Sequence, residues 1–168
     1  MKKLLVVAAV FGLFCIPVFA QDVPKAEIFG GYSLVSSNDL DQTGQGFAAA
    51  LEGNITGMFG IVGEFGYYDF DGGKAYTFMG GPRIGYRAGK VRPFGHALFG
   101  GTNLSADAVD SSETYFSMAL GGGLDFAVNQ VLSIRPAQVD LLSIRFSEGD
   151  VSDWSNNLRY SAGVVITF

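Results

Sequence analysis

The stretch YTFMGGPRIGYR, Tyr76 to Arg87, divides by parity into two unlike sets. Tyr76, Phe78, Pro82, Ile84 and Tyr86 fall on one side of an extended chain, and Thr77, Met79, Gly81, Arg83, Gly85 and Arg87 on the other. Successive side chains of a strand point to opposite faces. The stretch therefore predicts a strand with one bulky apolar face and one face of mostly small residues interrupted by charge. The division recurs along the chain. Phe47, Ala49, Leu51 and Ile55 oppose Ala48, Ala50, Glu52, Asn54 and Thr56; Ile61, Phe65 and Tyr67 oppose Val62, Glu64, Gly66 and Tyr68; Phe116, Met118, Leu120, Leu124 and Phe126 oppose Ser117, Ala119, Gly121, Gly123 and Asp125.

Segments with this two-residue period lie at 25–36, 46–56, 59–69, 75–88, 91–103, 114–127, 131–146 and 157–168, which predicts eight strands and no helix of useful length. The connections alternate too. SSNDLDQTGQ, DFDGGK, NLSADAVDSSE and SEGDVSDWSNN are polar and acidic and three of them are long, whereas those around TGM, AGK and VNQV are tight. All the longer connections then fall at one end of an antiparallel meander.

The contents of the two faces decide which one meets water. An eight-stranded barrel has an interior only just wide enough for side chains to fill it. Four or five large apolar residues from every strand would not fit inside. The outer face of such a barrel would then be mostly Gly, Ala and Ser, whereas soluble surfaces carry about a quarter to a third charged residues. Turning the barrel inside out removes both conflicts. The expected fold is an all-β, eight-stranded antiparallel up-and-down transmembrane β-barrel, closed because no water in the hydrocarbon core could satisfy an open edge.

The beginning of the chain fits export. MKKLLVVAAVFGLFCIPVFA has two lysines, an apolar run from Leu4 to Phe19 and small residues before Gln21. It reads as a signal peptide over residues 1–20, cleaved between Ala20 and Gln21, with the barrel domain over 21–168. The apolar run is shorter than the roughly 20 residues that a spanning helix needs. Phe14 precedes Cys15, where a lipid-anchored cysteine would follow a small residue. Cys15 is the only cysteine, so the processed chain forms no disulfide. Loss of Lys2 and Lys3 takes the formal charge from −5 to about −7, which argues against nucleic acid as a partner.

By parity the lumen is expected to hold Glu27, Glu52, Glu64, Asp125 and Asp140 with Arg83, Arg87, Arg135 and Arg159, and Arg92 as a further candidate. Buried charges persist only when paired. A salt-bridged plug is predicted in preference to a gated polar pore. In LSIRPAQVDLL, Arg135 has opposite parity to Gln138 and Asp140, which a bulge near Pro136 and Ala137 would reconcile. His96, the sole histidine, reads as a lumen hydrogen-bond partner, with a general base of a lipid-modifying enzyme as the sharper alternative. No cofactor and no dedicated metal site are expected. The acids Asp39, Asp41, Asp69, Asp71, Asp107, Asp110, Glu113, Glu148, Asp150 and Asp153 form a hydrophilic rim that could share divalent cations with lipopolysaccharide phosphates, DFDGG being a rudimentary oxygen cluster.

An export signal, eight alternating strands and RYSAGVVITF at residues 159–168 together resemble the small outer-membrane β-barrel superfamily, the OmpA/OmpX-like barrels of Gram-negative envelopes. The resemblance covers the whole barrel segment and implies location in the cell outer membrane. It also implies that Tyr160, Ala162, Val164, Ile166 and Phe168 form a signal read by the barrel assembly machinery. No peptidoglycan-binding domain is seen after the barrel, so no wall-tethering role is expected. The implied partners are outer-membrane lipid and lipopolysaccharide, with no protein partner needed to close the edges of a monomer. The favoured function is a non-enzymatic envelope protein serving membrane integrity or surface interaction. A narrow porin-like channel or carrier for small solutes is the alternative, and a lipid-modifying enzyme a third reading.

Overall fold

The computed structural model describes residues 25–37, 42–70, 73–106, 112–148 and 151–168. The expected export signal, with its Ala20–Gln21 junction, lies outside them, as do Asp39, Asp41, Asp71, Asp107, Asp110 and Asp150 of the acidic rim. Eight strands follow one another: β1 (Ala26–Ser37), β2 (Gln42–Asn54), β3 (Phe59–Phe70), β4 (Gly73–Gly85), β5 (Val91–Ala106), β6 (Ser112–Ala127), β7 (Leu132–Glu148) and β8 (Val151–Thr167). Each pairs antiparallel with its neighbours in sequence, and β1 pairs with β8 from Glu27↔Thr167 to Ser37↔Asn157, so the sheet closes into a barrel. Phe168 extends the seam: its N–H donates to the Ala26 carbonyl (2.9 Å), and its own carbonyl accepts from Lys25 N–H (3.0 Å).

The strands run further toward the longer connections than periodicity predicted. β8 begins at Val151 rather than 157, β7 continues to Glu148 and β5 to Ala106. Pairing there includes polar pairs such as Ser147↔Ser152 and Ser105↔Ser112 beside mixed ones such as Leu104↔Glu113 and Glu148↔Val151. Backbone ladders continue wherever geometry allows, but polar residues interspersed among the apolar ones blur the alternation. The tight turns lie where expected. After β2, the N–H groups of Ile55 and Thr56 both donate to the Phe59 carbonyl. Between β4 and β5, Gly89 takes φ 63°, a left-handed conformation that side chains rarely adopt. Between β6 and β7, the Asn129 side-chain oxygen accepts from the N–H groups of Val131 and Leu132, each at 2.8 Å.

The bulky face is the outer one. Phe78, Ile84 and Leu120 are 59%, 60% and 65% exposed, whereas Arg83, Asp140 and Arg159 are at most 1% exposed. Outside, directly opposed aromatics stack across β3 and β4, with ring centroids 5.0 Å apart for Phe65–Phe78 and 5.2 Å for Tyr67–Tyr76. Such cross-strand pairs hold register through side-chain contact. The lumen is not uniformly small. Phe29, Tyr68, Phe94, Leu98 and Leu142 are buried inside it.

The parity conflict in β7 is resolved by a bulge. Arg135 pairs with Gly163 and Gln138 with Ser161, three residues of β7 advancing against two of β8. The extra residue turns Arg135, Gln138 and Asp140 all into the lumen. A bulge disrupts the ladder, and here the Tyr160 hydroxyl, on the outer face, donates to the Pro136 carbonyl at 2.5 Å. That carbonyl would otherwise face lipid with no such donor. Tyr160→Phe is accordingly expected to lower the unfolding free energy in phospholipid vesicles by about 1–3 kcal/mol, read from urea titration; an unchanged midpoint and slope would show that the bond contributes nothing.

Candidate functional site: the charged lumen

Every second residue of each strand enters a cylinder shared by eight strands, so charges far apart in sequence meet. At the turn-side mouth, Glu27 accepts from Arg92 and from Arg87 through its two carboxylate oxygens, and from Asn54 Nδ2 at 3.3 Å. Arg92 spans to Glu52 as well, Nη2 lying 2.7 Å from Oε1. Glu52 gives its other oxygen to Arg83 Nη1 at 2.9 Å. Arg83 then donates through Nη2 to His96 Nδ1 at 3.0 Å. Guanidinium has donors only, so His96 Nδ1 is an acceptor and its Nε2 carries the hydrogen directed at Asp140 Oδ1, 2.7 Å away.

Asp140 is the hub of the loop-side layer. Its Oδ2 accepts from Arg159 Nε (2.9 Å), Arg159 Nη2 (2.6 Å) and Gln138 Nε2 (2.9 Å). Arg159 also crosses the lumen from β8 to β3, its Nη1 lying 2.5 Å from Glu64 Oε1. Arg135 clamps Asp125 bidentately, with Nε–Oδ1 at 2.6 Å and Nη2–Oδ2 at 3.0 Å, and donates Nη1 to Gln138 Oε1 at 2.8 Å. Its guanidinium lies over two rings, Phe29 and Phe94, at 4.4 and 4.3 Å from their centroids. Arg83 lies over Phe94 too, at 4.4 Å. Weakly hydrated, planar guanidinium tolerates such apolar faces better than an ammonium would.

Glu27, Glu52, Glu64, Asp125 and Asp140 thus meet Arg83, Arg87, Arg92, Arg135 and Arg159 in one network crossing the lumen between non-adjacent strands. Arg87 sits differently from the parity expectation: it lies past the end of β4, and its side chain is 37% exposed at the mouth. Arg92, the further candidate, is instead central. Phe94 shares the parity of His96 and falls on the lumen side with it, whereas Phe29, on the parity of Glu27, was not singled out. The space for this network comes from bare backbone opposite it. A Cβ on Gly121 would lie 2.2 Å from Asp140 Oδ1.

Of the residues in the expected assembly signal, Tyr160, Val164, Ile166 and Phe168 are exposed on the outer face and Ala162 is half-buried. His96 is fully enclosed, both ring nitrogens engaged. Among the described residues, no group of three His, Cys, Asp or Glu side chains is placed to hold a metal ion.

A closed antiparallel barrel with an apolar exterior and a polar, internally neutralised lumen is an integral membrane β-barrel. A family model described as "Outer membrane protein beta-barrel domain" matches residues 6–167, and the chain belongs to that family, whose members reside in the outer membrane of Gram-negative bacteria. Solved structures with this fold include Neisserial surface protein A (TM-score 0.65, 14% identity, 85% of this chain and 96% of that one). They also include the outer membrane protein OprG from Pseudomonas aeruginosa (0.62, 10%, 90% and 99%) and Ail, the attachment invasion locus protein of Yersinia pestis (0.51, 20%, 87% and 99%). At these identities the likeness is one of fold. No curated protein sequence matches significantly.

Removing Arg159 would leave Glu64 and Asp140 facing each other without their shared partner. Arg159→Met should cost about 3–5 kcal/mol of unfolding free energy in vesicles, measured by urea titration. A loss no larger than the ~1 kcal/mol of an exposed pair would contradict a tightly coupled buried network.

Proposed function

We propose that this outer-membrane barrel is a non-enzymatic envelope protein serving membrane integrity or surface interaction, and that it does not pass solutes. The observation that carries this reading is the uninterrupted network from Glu27 and Arg87 at one mouth to Arg159 and Glu64 deeper in the lumen. A permeating solute would have to part pairs such as Arg159–Asp140 and Arg83–Glu52, whose side chains are almost fully buried. Leaving one partner of a buried pair uncompensated costs several kcal/mol, and several would have to part together. The enclosure of His96 supports the non-enzymatic reading, because neither ring nitrogen is open to a lipid substrate.

Residues 1–20 serve export to the periplasm. The assembly machinery reads the outward row Tyr160, Ala162, Val164, Ile166 and Phe168, and the mature barrel stands as a monomer among lipid and lipopolysaccharide, its tight turns toward the periplasm. The acidic rim supports contact with lipopolysaccharide through shared divalent cations.

Planar bilayers containing the purified barrel are expected to show no reproducible single-channel steps; discrete, repeatable openings would overturn the sealed-lumen reading in favour of a channel. Deleting Phe168 is expected to reduce the yield of folded barrel in the outer membrane several-fold more than deleting one residue of the acidic connection 107–111. Equal yields would remove Phe168 from the assembly signal.

A further inference from the structure

The lumen changes character above the ion network. On the loop side, the interior of β1, β3, β4, β5, β7 and β8 encloses a cavity of about 450 Å³, within the range of small-molecule sites. Its wall is mostly apolar, with Val35, Phe70, Leu104, Leu142, Ile144 and Phe146 contributing. Nothing in the sealing role of the network calls for this. A plug alone would have filled the volume with side chains, as the narrow lumen of eight strands allows.

Ser37, Gln42, Lys74, Ser105, Ser155 and Asn157 also line the cavity, and among its polar groups two threonine hydroxyls stand out. Thr77 and Thr102 are directly opposed across the β4–β5 ladder, line the cavity, and are each 1% exposed. Neither Oγ1 has a hydrogen-bond partner. A buried hydroxyl without a partner costs free energy, and each such group in a folded protein calls for an explanation. Here there are two, side by side, against an apolar chamber. A threonine hydroxyl can donate or accept, so the pair suits a hydroxyl or carbonyl oxygen. The charged groups beneath are already committed: Arg159 is matched by Glu64 and Asp140, and its Nη1 reaches Tyr68 Oη at 3.5 Å at the level of the cavity. Lys74, the one charged residue among the described residues of the lining, lies on the parity of the outward-facing Phe78, so an uncharged ligand fits this chamber better than an anion.

We propose that the loop-side chamber is a binding site for a small neutral amphiphile, held by its apolar body against Leu142, Ile144 and Phe146 and by one oxygen on the paired hydroxyls of Thr77 and Thr102. The network below makes the chamber a blind one. The ligand enters and leaves on the loop side, and the site captures rather than conducts.

The barrel in phospholipid nanodiscs, with isotope-labelled methyl groups, provides the test, using octan-1-ol and octane as probes. Octan-1-ol is expected to shift the methyl resonances of Val35, Leu142 and Ile144 saturably, while the outer-face methyls of Ile84 and Leu120 shift only in proportion to the amount dissolved in lipid. The near-isosteric double variant Thr77→Val/Thr102→Val should weaken octan-1-ol about tenfold and leave octane affinity unchanged. Non-saturable shifts at all three chamber residues in the unaltered barrel would mean that the chamber holds water only, and would overturn the site. Undiminished octan-1-ol affinity in the double variant would overturn recognition through the hydroxyls.

Discussion

A charge taken out of water persists only if an opposite charge and enough hydrogen-bonding groups meet it, and this barrel meets that requirement across its own lumen. Five carboxylates face five guanidinium groups there, with His96 and Gln138 bridging between them. Because the lipid-facing surface is apolar, these groups have nowhere else to go. Their demands then propagate outward. A side chain on Gly121 would collide with the Asp140 carboxylate and with the Val139 carbonyl, and Phe29 and Phe94 stand inside where the Arg135 guanidinium lies over their rings.

The requirement also fixes register. A one-residue slip moves every side chain of a strand to the other face, so an unbroken β7 would have put either Arg135 or Asp140 into lipid. The bulge between Arg135 and Gln138 avoids both, and Tyr160 answers the Pro136 carbonyl from the neighbouring strand. Tyr160 belongs to the row proposed as the assembly signal. One residue thus has a structural task in the finished barrel that is separate from any role during insertion.

Much of this was legible in the residues. Period-two alternation fixed eight strands, and the contrast between faces, as in Phe78 against Thr77 or Leu120 against Gly121, settled which side meets lipid. The parity of Glu52, Glu64, Asp125 and Arg159 placed them in the lumen without reference to their partners. Two things escaped. The large lumen residues Phe29 and Leu142 were hidden by a face whose average was small, because alternation reports a mean and not the one cross-section where a large side chain fits against backbone. The upper reaches of β5, β7 and β8 were read as loops, since polar residues interspersed among apolar ones such as Leu104 and Val151 blur the periodic signal. For the same reason the apolar chamber could not be foreseen: Phe70, Leu104 and Phe146 lie on strand segments whose ends looked like connections.

The lumen therefore has two compartments, an apolar chamber toward the loops and a charged network toward the turns, which we propose is a seal. Sided chemical access tests that division most directly. In protein prepared from Gln21 onward, which lacks Cys15, a cysteine at Thr102 in the chamber or at Thr167 near the turn-side mouth would be the only thiol of the refolded barrel. Oriented vesicles exposed on one side to a small membrane-impermeant thiol reagent are predicted to label the Thr102→Cys protein from the loop side only and the Thr167→Cys protein from the turn side only. Labelling of either position from the opposite side would contradict the seal.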